Sequence, residues 1–583
     1  MKSRRGNKVN GQGRLIIPTL LLLMVAAPII YFLGCHSASK SVNAAHVGAP
    51  SAPMPSGQAA QYPLPSKKYH QYNLLYSVQP QLSQQSQQLL QVAPDAAAHQ
   101  ARLDLREGHN TETYDRIDEN KFHSAAKDPL STFSIDVDTA SYSNVRRFLN
   151  GGQLPPRGAV RVEELINYFT YNYSQPEAGK PFSVTTEVAG CPWDPKHQLV
   201  HIGIQGRKIS NENVPPRNLV FLLDVSGSMQ YAQKLPLLKS AISLLVENLR
   251  EEDSVAIVVY AGASGLVLPS TSGAQRERIH SAIDRLRAGG STNGGAGIQL
   301  AYQVAQQNFI KDGINRVILA TDGDFNVGTT SQSELTRLIE NKRESGVFLT
   351  VLGFGMGNYK DSTMEKLADK GNGNYAYIDS LREAQKVLVK EAGATLVTIA
   401  KDVKIQVEFN PAQVQAYRLV GYENRMLQAQ DFNDDKKDAG EIGAGHSVTA
   451  IYEIIPPGVE WDQPGIDDLK YQNTPKANPE TPGDELLTLK LRYKQPDGDK
   501  SSKLVFPVKK SNAFFSDASE NFRFSAAVAA FGMMLRDSSH GGTLMLEGVQ
   551  EIAQTSCGED TEEYRKEFLR LVQVARKLKG ARK

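Results

Sequence analysis

Residues 218–229, NLVFLLDVSGSM, constrain the fold more than any other stretch of this chain. The run from Leu219 to Leu223 is continuously apolar, and a strand of that kind belongs where both faces are covered, as in a parallel sheet flanked by helices. It stops at Asp224-Val225-Ser226-Gly227-Ser228, a carboxylate and two hydroxyls at alternating positions, with a glycine that lets the backbone curl. In open α/β sheets, ligands bind beyond the carboxyl ends of the strands. An oxygen-lined cup at such an end suits a hard divalent cation, which takes oxygen ligands in a near-octahedral array and commonly keeps positions open. The bland alternative is a polar turn that caps the next helix.

Two later stretches bring further oxygens to the same edge. Gly289-Gly290-Ser291-Thr292-Asn293 precedes a helical run, and the apolar run 317–320 ends in Thr321-Asp322-Gly323-Asp324. In order and context, Asp224, Ser226, Ser228, Thr292 and Asp322 resemble the metal-ion-dependent adhesion site (MIDAS) of von Willebrand factor type A (VWA) domains. The resemblance implies that Ser226 and Ser228 give hydroxyl oxygens to a metal directly. Thr292 would bind directly or through water, with Ser291 beside it as a substitute, and Asp224 and Asp322 would act largely through water and by orienting the hydroxyls. The implied cofactor is Mg2+, Mn2+ or Ca2+, with magnesium favoured by abundance. The implied partner is a protein ligand offering an acidic side chain to the last coordination position. Asp324 reads as a capping residue just past the site.

Around this site, strands are expected at 254–261, 266–268 (an antiparallel edge), 316–320, 347–353 and 374–378. Helices are expected at 235–249, 276–286, 297–309, 331–344, 361–370 and 381–392. The expected fold class is therefore α/β: a doubly wound, mostly parallel sheet (VWA, Rossmann-like) inserted next to an antiparallel β unit, with a C-terminal helical segment. The antiparallel unit is read from alternating runs at 403–409, 415–419, 447–455 and 486–493, with the earlier runs 132–138, 182–188 and 200–205 as contributors. Helical spacing marks 140–149, 160–171, 520–536, 543–553 and 561–578. The segments STFSIDVDTASYSNVRRFLNGGQLPP and VRVEELINYF resemble the domain that precedes the A domain in the bacterial YfbK-like family. The resemblance covers roughly 105–580, which gives an N-terminal VWA-associated domain (105–216), a VWA domain (217–400) and a C-terminal β unit plus helices (401–583). Asp136 and Asp138 are expected on a solvent face or as caps, His197 and His201 on the surface, and Arg576 to Lys583 as a solvated tail.

The first 35 residues are expected to be a lipoprotein signal peptide. Lys2, Arg4, Arg5, Lys8 and Arg14 precede an apolar run, 15–33, that ends in Phe32-Leu33-Gly34-Cys35. This ending resembles a bacterial lipoprotein cleavage box, in which Cys35 becomes the lipid-bearing residue; an uncleaved signal anchor is the alternative. His36 after Cys35 favours the outer membrane. Residues 36–104, rich in Ser, Ala, Pro and Gln, read as a disordered tether. The expected location is the bacterial cell envelope, lipid-anchored and facing the periplasm, with the membrane as a partner through that anchor. Cys191 and Cys557 then remain, either paired in an oxidising compartment or as separate thiols.

Charge and motifs narrow the function. A net charge of +2 over 583 residues gives no case for nucleic acid. H-E-x-x-H, G-x-S-x-G and a Walker lysine are all missing, so no enzymatic activity is expected. The expected function is a metal-dependent protein-binding, adhesion or scaffold module. The alternatives are a structural envelope protein with a purely structural metal, and a metal-assisted hydrolase.

Overall fold

A computed structural model describes residues 111–291, 294–323, 332–391, 396–461 and 483–581. The signal segment with Cys35, the tether, Thr292 and Asp324 lie outside the described residues.

The chain first lays down strands that find their partners only much later. Strands β1 (His123–Ser124) and β2 (Leu130–Ser134), helices α1 (Ala140–Asn150) and α2 (Val162–Asn167), and strands β3 (Phe182–Gly190) and β4 (Gln198–Gly206) precede the α/β segment. That segment runs β5 (Arg217–Asp224), α3 (Leu235–Glu247), β6 (Ser254–Tyr260), β7 (Ser264–Ser272), α4 (Arg276–Arg285), α5 (Gly294–Gln307), β8 (Ile314–Thr321), α6 (Gln332–Arg343), β9 (Phe348–Phe354), α7 (Asp361–Lys370), β10 (Tyr375–Ile378) and α8 (Leu381–Gln385). A π-helical turn, Lys386–Glu391, continues α8. Then follow β11 (Thr398–Phe409), β12 (Ala416–Val420), β13 (Met426–Leu427), β14 (Gly440–Gly443), β15 (Ser447–Ile455), β16 (Glu485–Lys494) and β17 (Ser501–Lys509), and helices α9 (Glu520–Leu535), α10 (Leu546–Thr555) and α11 (Tyr564–Gly580).

The α/β segment builds one six-stranded sheet in the order β10-β9-β8-β5-β6-β7. All its pairings are parallel except that of β7, which lies antiparallel on β6. All eight residues of β5 are buried. Alternate residues enter the two cores on either side of the sheet, Leu219, Phe221 and Leu223 on one face and Val220 and Leu222 on the other. Strand order reverses between β5 and β8, which leaves a crevice at their carboxyl ends.

The remaining strands form two antiparallel sheets, β1-β12-β15-β4-β3 and β13-β2-β11-β16-β17. Each mixes strands from before and after the α/β segment: β4 pairs β15, and β2 pairs β11. The α/β domain is thus an insertion in a β-sandwich. One apolar core fills the space between the two sheets. A second lies between the outer face of the first sheet and a helical layer that joins α1 and α2 to α9, α10 and α11.

Several expectations give way here. Asp136 and Asp138 are 4% and 3% exposed, and both face Arg425 at 3.1 and 3.0 Å; they are buried counter-ions, not solvent-face caps. His201 is buried on β4 beside the Tyr173 hydroxyl (3.0 Å), and burial pulls its pKa down to about 3. His197 is half-buried and lies 2.6 Å from Glu453. Residues 576–580 of the expected tail are the end of α11, whose other face buries Leu571, Val572 and Ala575, and residues 582–583 lie outside the described residues. The helix expected over 160–171 ends at Asn167, because Phe169, Tyr171 and Tyr173 turn into the helical core. Cys191 and Cys557 are both free thiols.

Candidate metal centre

Four neighbouring strands of the parallel sheet deliver their carboxyl ends to one cup. β5 contributes Asp224 as its last residue. The chain then stays extended at Ser226 (φ −61°, ψ 165°) and closes a 3-10 turn, Gly227–Gln230, which returns Ser228 toward the strand end. β8 contributes Thr321 and the residue after it, Asp322; β6 contributes Tyr260, and the loop after β9 contributes Asn358.

The hydrogen bonds define the cup. The Ser226 amide donates to Asp224 Oδ1 (2.9 Å), while the Thr321 and Tyr260 hydroxyls donate to Asp224 Oδ2 (3.2 and 3.3 Å). Ser226 Oγ and Ser228 Oγ stand 3.0 Å apart, and Ser228 Oγ donates to Asp322 Oδ2 (2.7 Å). That same carboxylate oxygen accepts from Lys234 Nζ (2.8 Å) and Asn358 Nδ2 (3.0 Å). Asp224 and Asp322 are fully buried, whereas Ser228 is half-buried at the lip. The glycine loop is tied in as well: Gly289 N donates to the Val225 carbonyl (2.8 Å), and Gly227 N to the Gly290 carbonyl (3.1 Å). The loop therefore reaches the cup just before Thr292.

The two carboxyls behave differently although both are buried. Burial pushes Asp224 up to about 6, helped by the charge of Asp322 and opposed by the bonds from Ser226 and Thr321. Burial also acts on Asp322, but the Lys234 charge and the donors Lys234, Asn358 and Ser228 outweigh it, so its pKa falls below the ordinary value.

The donor set fits a hard divalent cation. At an Mg–O distance of 2.0–2.1 Å, adjacent ligands of an octahedron lie about 2.9 Å apart, which is close to the 3.0 Å between the two serine hydroxyls. No group of three or more His, Cys, Asp or Glu side chains among the described residues could hold a metal. Two hydroxyls and two carboxylates are a different ligand type, suited to magnesium, manganese or calcium rather than zinc. Of the five residues expected at the site, Asp224, Ser226, Ser228 and Asp322 converge. Thr292 lies outside the described residues. Sequence reasoning missed Lys234, Asn358, Tyr260 and Thr321. Only Thr321, next to Asp322, carried a local signal; the others approach through tertiary packing.

Comparison with known proteins matches three stretches of the chain. A family model described as "von Willebrand factor type A domain" matches residues 218–391, one described as "Uncharacterized protein YfbK, C-terminal" matches 394–578, and one described as "von Willebrand factor" matches 108–201. The protein named "Uncharacterized protein YfbK" of Escherichia coli (strain K12) is 46% identical over 494 residues, covering 83% of this chain and 85% of that protein. Protein sll0103 of Synechocystis is 27% identical over 34% of this chain and 45% of its own length. The human inter-alpha-trypsin inhibitor heavy chain H4 is 28% identical over 26% of this chain and 17% of its own. Among solved structures, a von Willebrand factor type A protein from Catenulispora acidiphila aligns with 68% of this chain and 91% of its own at a TM-score of 0.36 and 16% identity. With a VWA domain set into a YfbK-type frame and 46% identity to E. coli YfbK along most of both chains, the protein belongs to the YfbK-like family of VWA-domain proteins.

Proposed function

We propose that this chain is a metal-dependent protein-binding module, an adhesion or scaffold component tethered to the bacterial cell envelope by a lipid on Cys35. The observation that carries the reading is the pair of serine hydroxyls, 3.0 Å apart, Ser226 buried and Ser228 half-buried at the lip, backed by two buried carboxylates. Ser226 and Ser228 would hold the ion directly, with Thr292 as a further ligand. Asp224 and Asp322 would orient the hydroxyls and the water between. A bound Mg2+ or Mn2+ supplies an electrophilic point of attachment for a carboxylate, because neutral first ligands leave it much of its charge. The lip also carries apolar surface. Tyr231, 55% exposed, follows the 3-10 turn, and Met356, 49% exposed, sits in the loop before Asn358. An acidic side chain flanked by an apolar residue would match that surface.

The test is capture of envelope proteins by the intact chain with and without EDTA, alongside Asp224→Ala. Loss of the same partners in both, with the melting temperature of the variant unchanged, supports the reading. Equal capture by wild type and Asp224→Ala refutes it, and outright melting in EDTA assigns the metal to structure. Cys35→Ala should move the protein from the membrane fraction to the soluble envelope fraction.

A further inference from the structure

We propose that Lys234 is a resident counter-cation of the cup, which holds the affinity for a divalent ion down and leaves a bound ion more of its charge. This rests on the metal-binding reading above and adds a residue to it. Lys234 Nζ lies 2.8 Å from Asp322 Oδ2 and 2.8 Å from Asn358 Oδ1. The side chain is 3% exposed, so this is not a surface lysine that happens to reach a carboxylate.

The slot that holds its stem is built for it. Gly355 has φ +78°, a backbone conformation that suits glycine. A Cβ there would lie 2.3 Å from Lys234 Cε and 2.5 Å from its Cγ, so no other residue fits while the lysine is in place. The lysine backbone is fixed too: its amide donates to the Tyr231 carbonyl (2.9 Å), and its carbonyl accepts from Leu238 N (2.8 Å) at the start of α3. An ammonium in so confined a place has little room to withdraw when an ion arrives.

The charge count gives the consequence. Among the described residues, the carboxylates of Asp224 and Asp322 and the ammonium of Lys234 leave the cup at minus one. A divalent ion brings it to plus one, which still attracts a carboxylate. Without Lys234 the same cup would start at minus two and end neutral, with tighter metal and a poorer point of attachment. Inside a buried site such a change is poorly screened by solvent and salt. A purely structural clamp between Asp322 and the Asn358 loop predicts the opposite, since losing it would loosen the cup and weaken the metal.

The experiment is titration of Mn2+ alone into the intact chain, by calorimetry or by electron paramagnetic resonance of free Mn2+, at pH 7.5 and fixed ionic strength. Lys234→Met keeps the stem and removes the charge; it should bind Mn2+ at least tenfold more tightly than wild type. Asn358→Asp keeps the lysine and adds a negative charge beside it; it should tighten binding at least threefold. Circular dichroism and melting temperature establish that each variant is folded, and if Lys234→Met is not, Asn358→Asp decides. Wild type that binds no Mn2+ removes the metal reading and this inference together. Wild type that binds, with folded variants equal to it or weaker, overturns the inference alone.

Discussion

Arg425 offers the sharpest test of what holds the inserted domain to its frame. It lies in the turn between β12 and β13 and reaches four carboxylates: Asp136 (3.1 Å) and Asp138 (3.0 Å) from the segment after β2, and Asp369 (2.7 Å) and Glu365 (3.9 Å) from α7. Its replacement by Met leaves these four in unequal positions. Glu365 keeps Arg161, 2.7 Å away, and Asp369 is about a third exposed and can rehydrate. Among the described residues Asp136 and Asp138 have no such recourse, and retain backbone donors alone: Asp138 N to Asp136 Oδ1 (3.0 Å) and Tyr375 N to Asp138 Oδ1 (2.8 Å). Removing one partner of a buried ion pair costs about 3–5 kcal/mol, and the relief available to Asp369 and Glu365 places Arg425→Met near 4 kcal/mol. The unfolding entropy of about 2.1 cal/mol/K per residue, taken over the 436 described residues, makes this a fall of roughly 4 °C if they melt as one. The loss should shrink in acid. Burial and Asp136 already push the Asp138 pKa above its ordinary value, and without the guanidinium it rises further. The variant's deficit relative to wild type therefore opens as pH climbs from the native-state pKa of Asp138 in wild type toward its higher value in the variant, and narrows as pH falls through that window. Calorimetry at pH 7.5 and pH 5 measures both. A loss under 1 kcal/mol at pH 7.5, or a deficit no smaller at pH 5, would refute the account.

Two other perturbations have worked signs. Glu163 is buried, its Oε2 has no hydrogen-bond partner among the described residues, and burial with the charges of Glu423 and Asp136 raises its pKa to about 8. A carboxyl with a raised folded-state pKa favours the native state while protonated, and that contribution is lost as pH rises from the unfolded value toward 8. Glu163→Gln should therefore flatten the decline in stability between pH 5 and 8 and gain about 2 kcal/mol at pH 8; a parallel curve would show that Glu163 is not the group responsible. Gly355→Ala should cost about 2 kcal/mol or more, from a positive φ together with collision with the Lys234 stem. Combining it with Lys234→Ala should restore the steric part, so an additive double-mutant cycle from denaturant melts would count against the packing described for that slot.

The sequence was most readable where one constraint acted alone. β5 announces itself because both its faces are covered, so its apolar run is unbroken up to Asp224. The insertion was visible as alternation that stops before Arg217 and resumes after Ala400, and the pairings of β2 with β11 and β4 with β15 realise it. β17 escaped notice because it is an exposed edge: Lys503, Lys509 and Pro507 break its alternation in the way edge strands guard themselves. Asp136, Asp138 and His201 were misplaced for a shared reason. A polar residue in a strand-like segment is expected outside unless a partner is known, and their partners Arg425 and Tyr173 come from elsewhere in the chain. Lys234 was unreadable in the same way, since Asp322 lies 88 residues further on.

The interleaving of early and late strands also sets an order of events during synthesis. β2 has to wait for β11, some 270 residues downstream, before it gains its neighbour. The inserted domain contains every strand of its own sheet and needs no such delay. Its completion replaces the long stretch of chain between β4 and β11 with one folded body, which shortens the loop that the sandwich must close. Until β15 and β16 emerge, the leading strands stand as open edges, and in that interval the nascent chain is most exposed to mispairing with its neighbours.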